Sequence, residues 1–145
     1  MDKVGHSNKV YAVKFDEINH NVIYSGGWDR NVVTWDTRQG GKHCGAIYGP
    51  LISGDALDID SRKHLLVTGS QKQDDGIQLW DLRTRKLLKQ VKWTDSPHYS
   101  ELSSIYSVQF VRPYNELIIA CGTNKNSAKL LSVASGQPIF DFSDT

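Results

Sequence analysis

The sequence repeats one unit three times, and this repetition constrains the fold more than any other feature. The run "NVVTWD" ends at Trp35-Asp36, and "GIQLWD" ends at Trp80-Asp81, 45 residues later. A third copy, "SAKLLS", places Leu131 where the Trp would stand, 51 residues further on. Such a period is typical of repeat architectures, in which each unit is one supersecondary element that packs on its neighbours.

Each unit contains four short apolar segments separated by turn residues such as "WDRN", "DTRQGG" and "TNKN". Short apolar runs bounded by Gly, Asn, Asp and Ser are typical of strands, and no segment shows a helical apolar stripe over ten residues. The sequence therefore predicts an all-β chain with no helices. The candidate strands are 10–15, 21–27, 31–36 and 42–48 in the first unit, 55–59, 64–70, 76–81 and 86–91 in the second, and 105–110, 116–123, 127–132 and 137–142 in the third.

The period, the four strands per unit and the "GH…WD" punctuation together resemble the WD-repeat family, whose units are the blades of a β-propeller. The first unit carries most of this resemblance, in "GHSNKVYAVKF" and "VIYSGGWDRNVVTWDTRQGG". The resemblance implies three four-stranded antiparallel blades at residues 5–48, 49–93 and 101–142, within one partial propeller that covers 1–145.

The resemblance also implies a hydrogen-bond network in each blade, which joins a buried Trp, a Ser or Thr, the His of "GH" and an Asp in a turn. A closed network satisfies an indole N–H, a hydroxyl and an imidazole that would otherwise be buried without partners. Blade one carries the full set, and blade two has Pro50 in the His place. Blade three has residues that cannot repeat the chemistry and should rest on packing. The aligned residues are His6, Ser25, Asp29 and Trp35 in blade one, Thr68, Asp74 and Trp80 in blade two, and Glu101, Cys121, Lys125 and Leu131 in blade three.

Trp28 lies outside this network, and Asp36 is expected only to end a strand. In the family the turn that contains Trp28 faces the top rim of the propeller. Trp28 is then either an anchor for a protein partner, since Trp is enriched at interface hot spots, or a residue that packs over its own turn. The candidate contact residues at the rim are Trp28 and Arg30 in blade one, Gln73 and Asp75 in blade two, Asn124 and Lys125 in blade three, and Asn8 and Lys9 before the first strand.

Three blades do not close a ring, because propellers contain at least four. Blade faces are apolar, so the open faces at the two ends predict association. Two chains could complete a six-bladed ring as a homodimer with two identical seams. The chain is then either a half-propeller that dimerises or a piece of a longer protein that dimerises when it is expressed alone, and both predict self-association. The alternative to a homodimer is a different partner that supplies the missing blades.

The composition and the scattered histidines argue against catalysis. The net charge is +1, which gives no long-range attraction to nucleic acid or anionic membrane, and no run of 18 apolar residues could span a bilayer. Cys44 and Cys121 belong to no paired motif, which favours buried thiols in the reducing cytoplasm or nucleus. No metal-site spacing, nucleophile elbow or phosphate loop occurs, so we expect no enzyme activity, metal, cofactor or small-molecule substrate.

Residues 83–92, "RTRKLLKQVK", form the one basic run. The run is typical of an outermost strand whose lysines discourage edge pairing, and only Trp93 is close enough to add base stacking. The sequence therefore predicts a non-enzymatic scaffold that binds proteins through the propeller rim. An RNA- or nucleosome-binding module that uses the basic edge, and a purely structural self-assembling protein, remain the alternatives.

Overall fold

The computed structural model describes residues 5–72, 76–91, 93, 104–123 and 127–142 of the 145-residue chain. These residues form three four-stranded antiparallel sheets in which sequential strands pair with one another. Blade one contains β1 (Val10–Phe15), β2 (Val22–Gly27), β3 (Asn31–Asp36) and β4 (His43–Tyr48). Blade two contains β5 (Leu57–Asp60), β6 (Leu65–Gly69), β7 (Ile77–Asp81) and β8 (Lys86–Val91). Blade three contains β9 (Ile105–Phe110), β10 (Leu117–Gly122), β11 (Ser127–Ser132) and β12 (Pro138–Asp141).

The all-β prediction, with three four-stranded antiparallel sheets, is confirmed. The only helical piece in the part of the chain that the structure describes is a single 3₁₀ turn, Thr37–Gln39. Asp36 caps this turn, so the expectation that it only ends a strand is wrong. Its carboxylate accepts a hydrogen bond from the backbone N–H of Arg38 at 3.0 Å and pairs with the Arg38 guanidinium at 2.6 Å. The hydrogen bond from Arg38 lowers the pKa of Asp36 to about 2.

Blade two is packed between the other two blades. Its face toward blade one carries Leu57 and Ile59, and its face toward blade three carries Val67 and Ile77. All four side chains are almost completely buried in one apolar cluster that runs through the three blades. The blade-two sheet therefore has apolar side chains on both of its faces. Such a sheet needs a neighbour on each side, and blades one and three supply the two neighbours.

Strand pairing fixes which residues hold the same position in each blade, and it corrects one sequence alignment. Trp35, Trp80 and Leu131 occupy the same position in their blades, and their partners on the preceding strand are Ile23, Leu66 and Ile118. The residues two places after these partners therefore also occupy one shared position. These residues are Ser25, Thr68 and Ala120, and the alignment of Cys121 with Ser25 is wrong. The error arises because "SGG" and "TGS" place Gly directly after the hydroxyl residue, whereas "ACGT" has one residue more between them.

Each end of the blade stack presents an exposed apolar face. The head face, on blade one, carries Val13 and Phe15, which are 54% and 61% exposed. Their equivalents in blade two are Leu57 and Ile59, which are buried against blade one. The tail face, on blade three, carries Ile119, Cys121, Leu130, Phe140 and Phe142.

The tail face shows the same contrast as the head face. Ile119 is 43% exposed, whereas its equivalents Tyr24 and Val67 are buried. Positions that a neighbouring blade covers inside the chain are therefore open at both ends. The prediction of buried thiols is wrong, because Cys44 and Cys121 are both exposed. The described residues include no helix that is long and apolar enough to cross a membrane.

Candidate functional site

Blade one brings together all four residues of the expected network. Trp35 Nε1 donates to Ser25 Oγ at 2.7 Å, and His6 Nε2 lies 2.7 Å from the same hydroxyl. His6 Nδ1 lies 2.8 Å from Asp29 Oδ2, and a carboxylate can only accept, so Nδ1 carries the proton. In the neutral imidazole Nε2 then accepts the Ser25 hydroxyl proton, which gives an unbroken chain of bonds from the indole to the carboxylate.

Asp29 also organises the turn that follows β2. Its two carboxylate oxygens accept from the backbone N–H groups of Ser7 and Asn31, at 3.0 Å and 3.2 Å. Burial acts to raise the pKa of Asp29, but the bonds from Ser7, His6 and Asn31 outweigh it and hold the pKa below its usual value. The carboxylate thus ties the segment before β1 to the β2–β3 turn.

Among the residues that the structure describes, the network is shorter in blade two and absent from blade three. Trp80 Nε1 donates to Thr68 Oγ1 at 3.0 Å, while Pro50 offers no side-chain group. In blade three a buried Leu131 replaces the Trp. Asp74, Glu101 and Lys125 lie outside the described residues.

Trp28 is fixed by a second chain of hydrogen bonds. Its Nε1 donates to Ser53 Oγ at 2.7 Å, and Ser53 Oγ donates to Gln71 Oε1 at 2.7 Å. Ser53 lies before β5 and Gln71 lies after β6, so blade two holds an aromatic side chain that belongs to blade one. The indole N–H of Trp28 is thus bound by neighbouring loops, as one of the two interpretations of Trp28 expects.

Trp28 nevertheless remains 37% exposed. Its ring lies 5.4 Å from the Tyr11 ring, and the Lys9 ammonium sits 4.9 Å from its centroid. We call Trp28, Tyr11 and Lys9 the Trp28 platform. Asn8, next to it, is exposed and accepts from the backbone N–H of Lys9 at 2.8 Å.

The remaining rim candidates fall into two groups. Arg30 does not join the Trp28 platform, because its guanidinium lies 4.9 Å from the Tyr48 ring centroid and donates to the Gly49 carbonyl at 3.3 Å. Four candidates lie outside the described residues, namely Gln73, Asp75, Asn124 and Lys125. Sequence reasoning missed Tyr11, Ser53 and Gln71, because their roles depend on how blade two sits beside blade one.

Comparisons with known proteins agree with this architecture. The profile of the family described as "WD domain, G-beta repeat" matches residues 2–36, which include the complete network of blade one. Residues 2–36 match one repeat of this family, and the three-bladed chain is similar to WD-repeat proteins.

Three curated proteins illustrate how far the likeness extends. Autophagy-related protein 16 of Arabidopsis thaliana is 29% identical over 101 residues, which are 70% of this chain and 18% of that protein. Mitotic checkpoint protein bub-3 of Caenorhabditis elegans is 34% identical over 92 residues, 63% of this chain and 25% of that protein. Protein transport protein SEC31 of Eremothecium gossypii is 29% identical over 136 residues, 88% of this chain and 11% of that protein. The chain thus spans a quarter or less of each of these relatives.

The basic strand β8 is partly used within the fold. Arg85 donates to the Cys44 carbonyl of blade one at 3.1 Å, and Lys89 Nζ donates to the Val133 and Ala134 carbonyls of blade three. Trp93 is 2% exposed, so its ring has no open face on which a base could stack. These contacts agree with the interpretation of residues 83–92 as an outer strand of a blade.

A polar cluster that the sequence did not reveal joins all three blades near the innermost strands. Arg112, which follows β9, contacts Asp58 of β5 at 3.0 Å and Glu17, which follows β1, at 2.7 Å. Lys14 Nζ pairs with Asp55 at 2.9 Å beside it. The cluster lines an open cleft of about 510 Å³. Within the described ranges, no group of three or more His, Cys, Asp or Glu side chains could hold a metal ion.

Proposed function

We propose that this chain is a non-enzymatic scaffold that binds proteins through the Trp28 platform. The observation that supports this proposal is that Trp28 is partly exposed while its indole N–H is held by the bonds to Ser53 and Gln71. A rigid aromatic ring loses little conformational entropy when a partner binds, which is why such residues serve as interface anchors.

The chemistry around the ring specifies the kind of partner. The rings of Trp28 and Tyr11 offer apolar contact, and the Lys9 ammonium offers a charge at their edge. A peptide segment with an apolar or aromatic anchor next to a carboxylate would satisfy both. We propose such a segment as the ligand, and we expect the scaffold to act in the cytoplasm or the nucleus.

Peptides selected from a display library against the purified chain provide the test. Trp28→Ala should weaken the selected peptides by about 2 kcal/mol, or roughly thirtyfold in Kd, as at a hot-spot residue. Tyr114→Ala is the matched control, because Tyr114 is an exposed aromatic in the turn between β9 and β10, away from the platform. If the selected peptides bind the wild type and Trp28→Ala with equal affinity, the assignment of the Trp28 platform as the binding site is wrong.

We also propose that the chain self-associates to close its ring. Val13 and Phe15 on the head face, and Ile119 on the tail face, are exposed at positions that neighbouring blades cover inside the chain. A tail face that packs on the head face of a second copy would bury these positions and give a twofold, six-bladed ring.

Sedimentation velocity over a concentration series tests the self-association. A closed dimer supports the proposal, and a growing series of larger species instead supports a structural protein that assembles without limit. A monomer at every concentration contradicts self-association and leaves the peptide test of the rim intact.

A further inference from the structure

The two internal blade junctions each place a cation against a glycine near the outer strands, but in opposite orders. At the junction of blades one and two, Arg85 of blade two lies over Gly45 of β4, where an added Cβ would lie 2.3 Å from the guanidinium carbon. At the junction of blades two and three, Lys89 of β8 lies over Gly136 of blade three, where an added Cβ would lie 2.9 Å from Lys89 Cδ. The cation thus belongs to the following blade at the first junction and to the leading blade at the second.

These are the same two positions of a blade with their residues exchanged. Gly45 and Lys89 each pair with the residue directly before the Trp of their blade. Arg85 follows Trp80 by five residues, and Gly136 follows Leu131 by five. Both have a positive φ, of 58° and 72°, and both N–H groups bond the carbonyl four residues earlier, at 2.7 Å and 2.8 Å. Gly136 therefore stands where a long side chain crosses the first junction.

A groove lies at this place between β8 and the β11–β12 hairpin. Among the described residues it encloses about 380 Å³. Val91, Leu131 and Pro138 give it apolar walls, and Gln90 and Gln137 lie beside them. The groove can therefore take an aliphatic stem that ends in a polar group.

Two ammonium groups line the groove. Lys89 Nζ donates to two backbone carbonyls of the β11–β12 turn, and the ion pairs formed within the described ranges do not include it. Lys129 Nζ donates to the Trp93 carbonyl at 2.9 Å and lies 3.4 Å from the Asp141 carboxylate. These bonds hold both cations in place, and one carboxylate leaves the pair with a net positive charge. Fixed cations of this kind bind oxyanions through charge-assisted hydrogen bonds.

We propose that this groove binds an oxyanion carried by a side chain of a peptide partner, and that Lys89 recognises the charge. The apolar walls take the stem of that side chain, and the oxyanion is either a carboxylate or a phosphate. The groove shares no residue with the Trp28 platform or with the exposed positions of the two end faces. The proposal is therefore independent of the rim site and of self-association.

The experiment is an NMR titration of the isotope-labelled full chain with blocked peptides that carry glutamate, phosphoserine or glutamine between two valines. We expect the glutamate and phosphoserine peptides to shift the amide signals of Lys89, Lys129 and Gly136. They should bind about tenfold more tightly than the glutamine peptide. The tighter of the two anionic peptides identifies the carboxylate or the phosphate as the source of the oxyanion.

Substitutions in and beside the groove test the role of the charge. Lys89→Gln should weaken the anionic peptides by about tenfold and leave the glutamine peptide unchanged. Lys86→Gln is the matched control, because it removes the same charge from an exposed residue of the same strand outside the groove. Gln137→Glu changes an exposed residue of the groove and should weaken the anionic peptides by about fivefold through like-charge repulsion. This second variant keeps the test valid if Lys89→Gln disturbs the junction.

The contrary outcomes are distinct. Equal affinities for the glutamate and glutamine peptides, or groove signals that stay unmoved at millimolar peptide, overturn the proposal. An equal loss of affinity in Lys86→Gln and Lys89→Gln shows a long-range attraction and also overturns it. Shifts confined to the Trp28 platform overturn the groove while the rim site stands. If a single-stranded uridine oligonucleotide moves the groove signals and the peptides do not, the occupant is RNA and the peptide assignment is wrong.

Discussion

The contact of Arg112 with Asp58 provides a test of how the blades are held together. Asp58 is 4% exposed, and its carboxylate accepts from Arg112 at 3.0 Å and from the backbone N–H of Phe110 at 2.8 Å. Hydrogen bonding to Asp58 is the main cause that raises the pKa of Arg112 above its usual value, and burial opposes it. The pair therefore joins blades two and three through one nearly buried carboxylate.

The structure sets the size of the effect. Removing one partner of a fully buried ion pair costs about 3–5 kcal/mol. The Arg112 side chain is 43% exposed, and Asp58 keeps its bond from Phe110, so we expect Arg112→Met to lower the free energy of unfolding by about 2 kcal/mol. Glu17 contacts the same guanidinium, but both side chains are 43% exposed, so Glu17→Gln should cost less than about 0.5 kcal/mol.

Urea unfolding of a double-mutant cycle separates the two contacts. The coupling of Arg112→Met with Asp58→Asn should be about 1–2 kcal/mol, and the coupling with Glu17→Gln should be close to zero. All variants are compared at one protein concentration, because association would make stability depend on concentration. Equal coupling to Asp58 and Glu17 would refute the argument that burial decides which contact matters.

Three further predictions concern blade one. Trp35→Phe removes the indole N–H and should lower the free energy of unfolding in urea by about 1–2 kcal/mol, with the loss of the hydrogen bond as its main cause; an unchanged midpoint would contradict this. Because the pKa of Asp36 is lowered in the native state, the native protein binds fewer protons than the unfolded chain between about pH 4 and pH 2. The stability that the Asp36 carboxylate contributes is therefore lost as the pH falls through that window. Arg38→Ala should move the titration midpoint of Asp36, read by NMR, from about 2 toward its usual value. Gly27→Ala should lower stability by more than about 3 kcal/mol, because its Cβ would lie 1.9 Å from a backbone carbonyl oxygen, whereas Gly5→Ala, with its nearest contact at 3.4 Å, should be tolerated.

The strands could be predicted from sequence because their signals are local. Short apolar runs, punctuated by Gly, Asn and Asp, located each of the strands to within about two residues. The blade-one network could also be predicted from sequence. Its members His6, Ser25, Asp29 and Trp35 are residue types whose donors and acceptors can pair with one another.

Contacts between blades could not be predicted in the same way. Arg112 and Asp58 are 54 residues apart, and Trp28 and Ser53 are 25 apart, so no local pattern links either pair. The position of Cys121 was misjudged for a related reason, because only the strand pairing shows which residue of β10 faces the neighbouring blade. What sequence reasoning lacked was the stacking of one blade on the next.

Stacking also explains why the polar network weakens along the chain. Trp35 lies on the open head face and is only half-buried, and its blade keeps all four members of the network. Trp80 is covered by blade one and keeps a single bond to Thr68, and Leu131 is buried against blade two with no polar group at all. Where a neighbouring blade excludes water, an apolar side chain of suitable shape replaces a polar network at little cost, because no donor or acceptor is left unpaired. On the open face Trp35 is only half-buried, and its bond to Ser25, which continues through the nearly buried His6 and Asp29, is what holds the ring in one position.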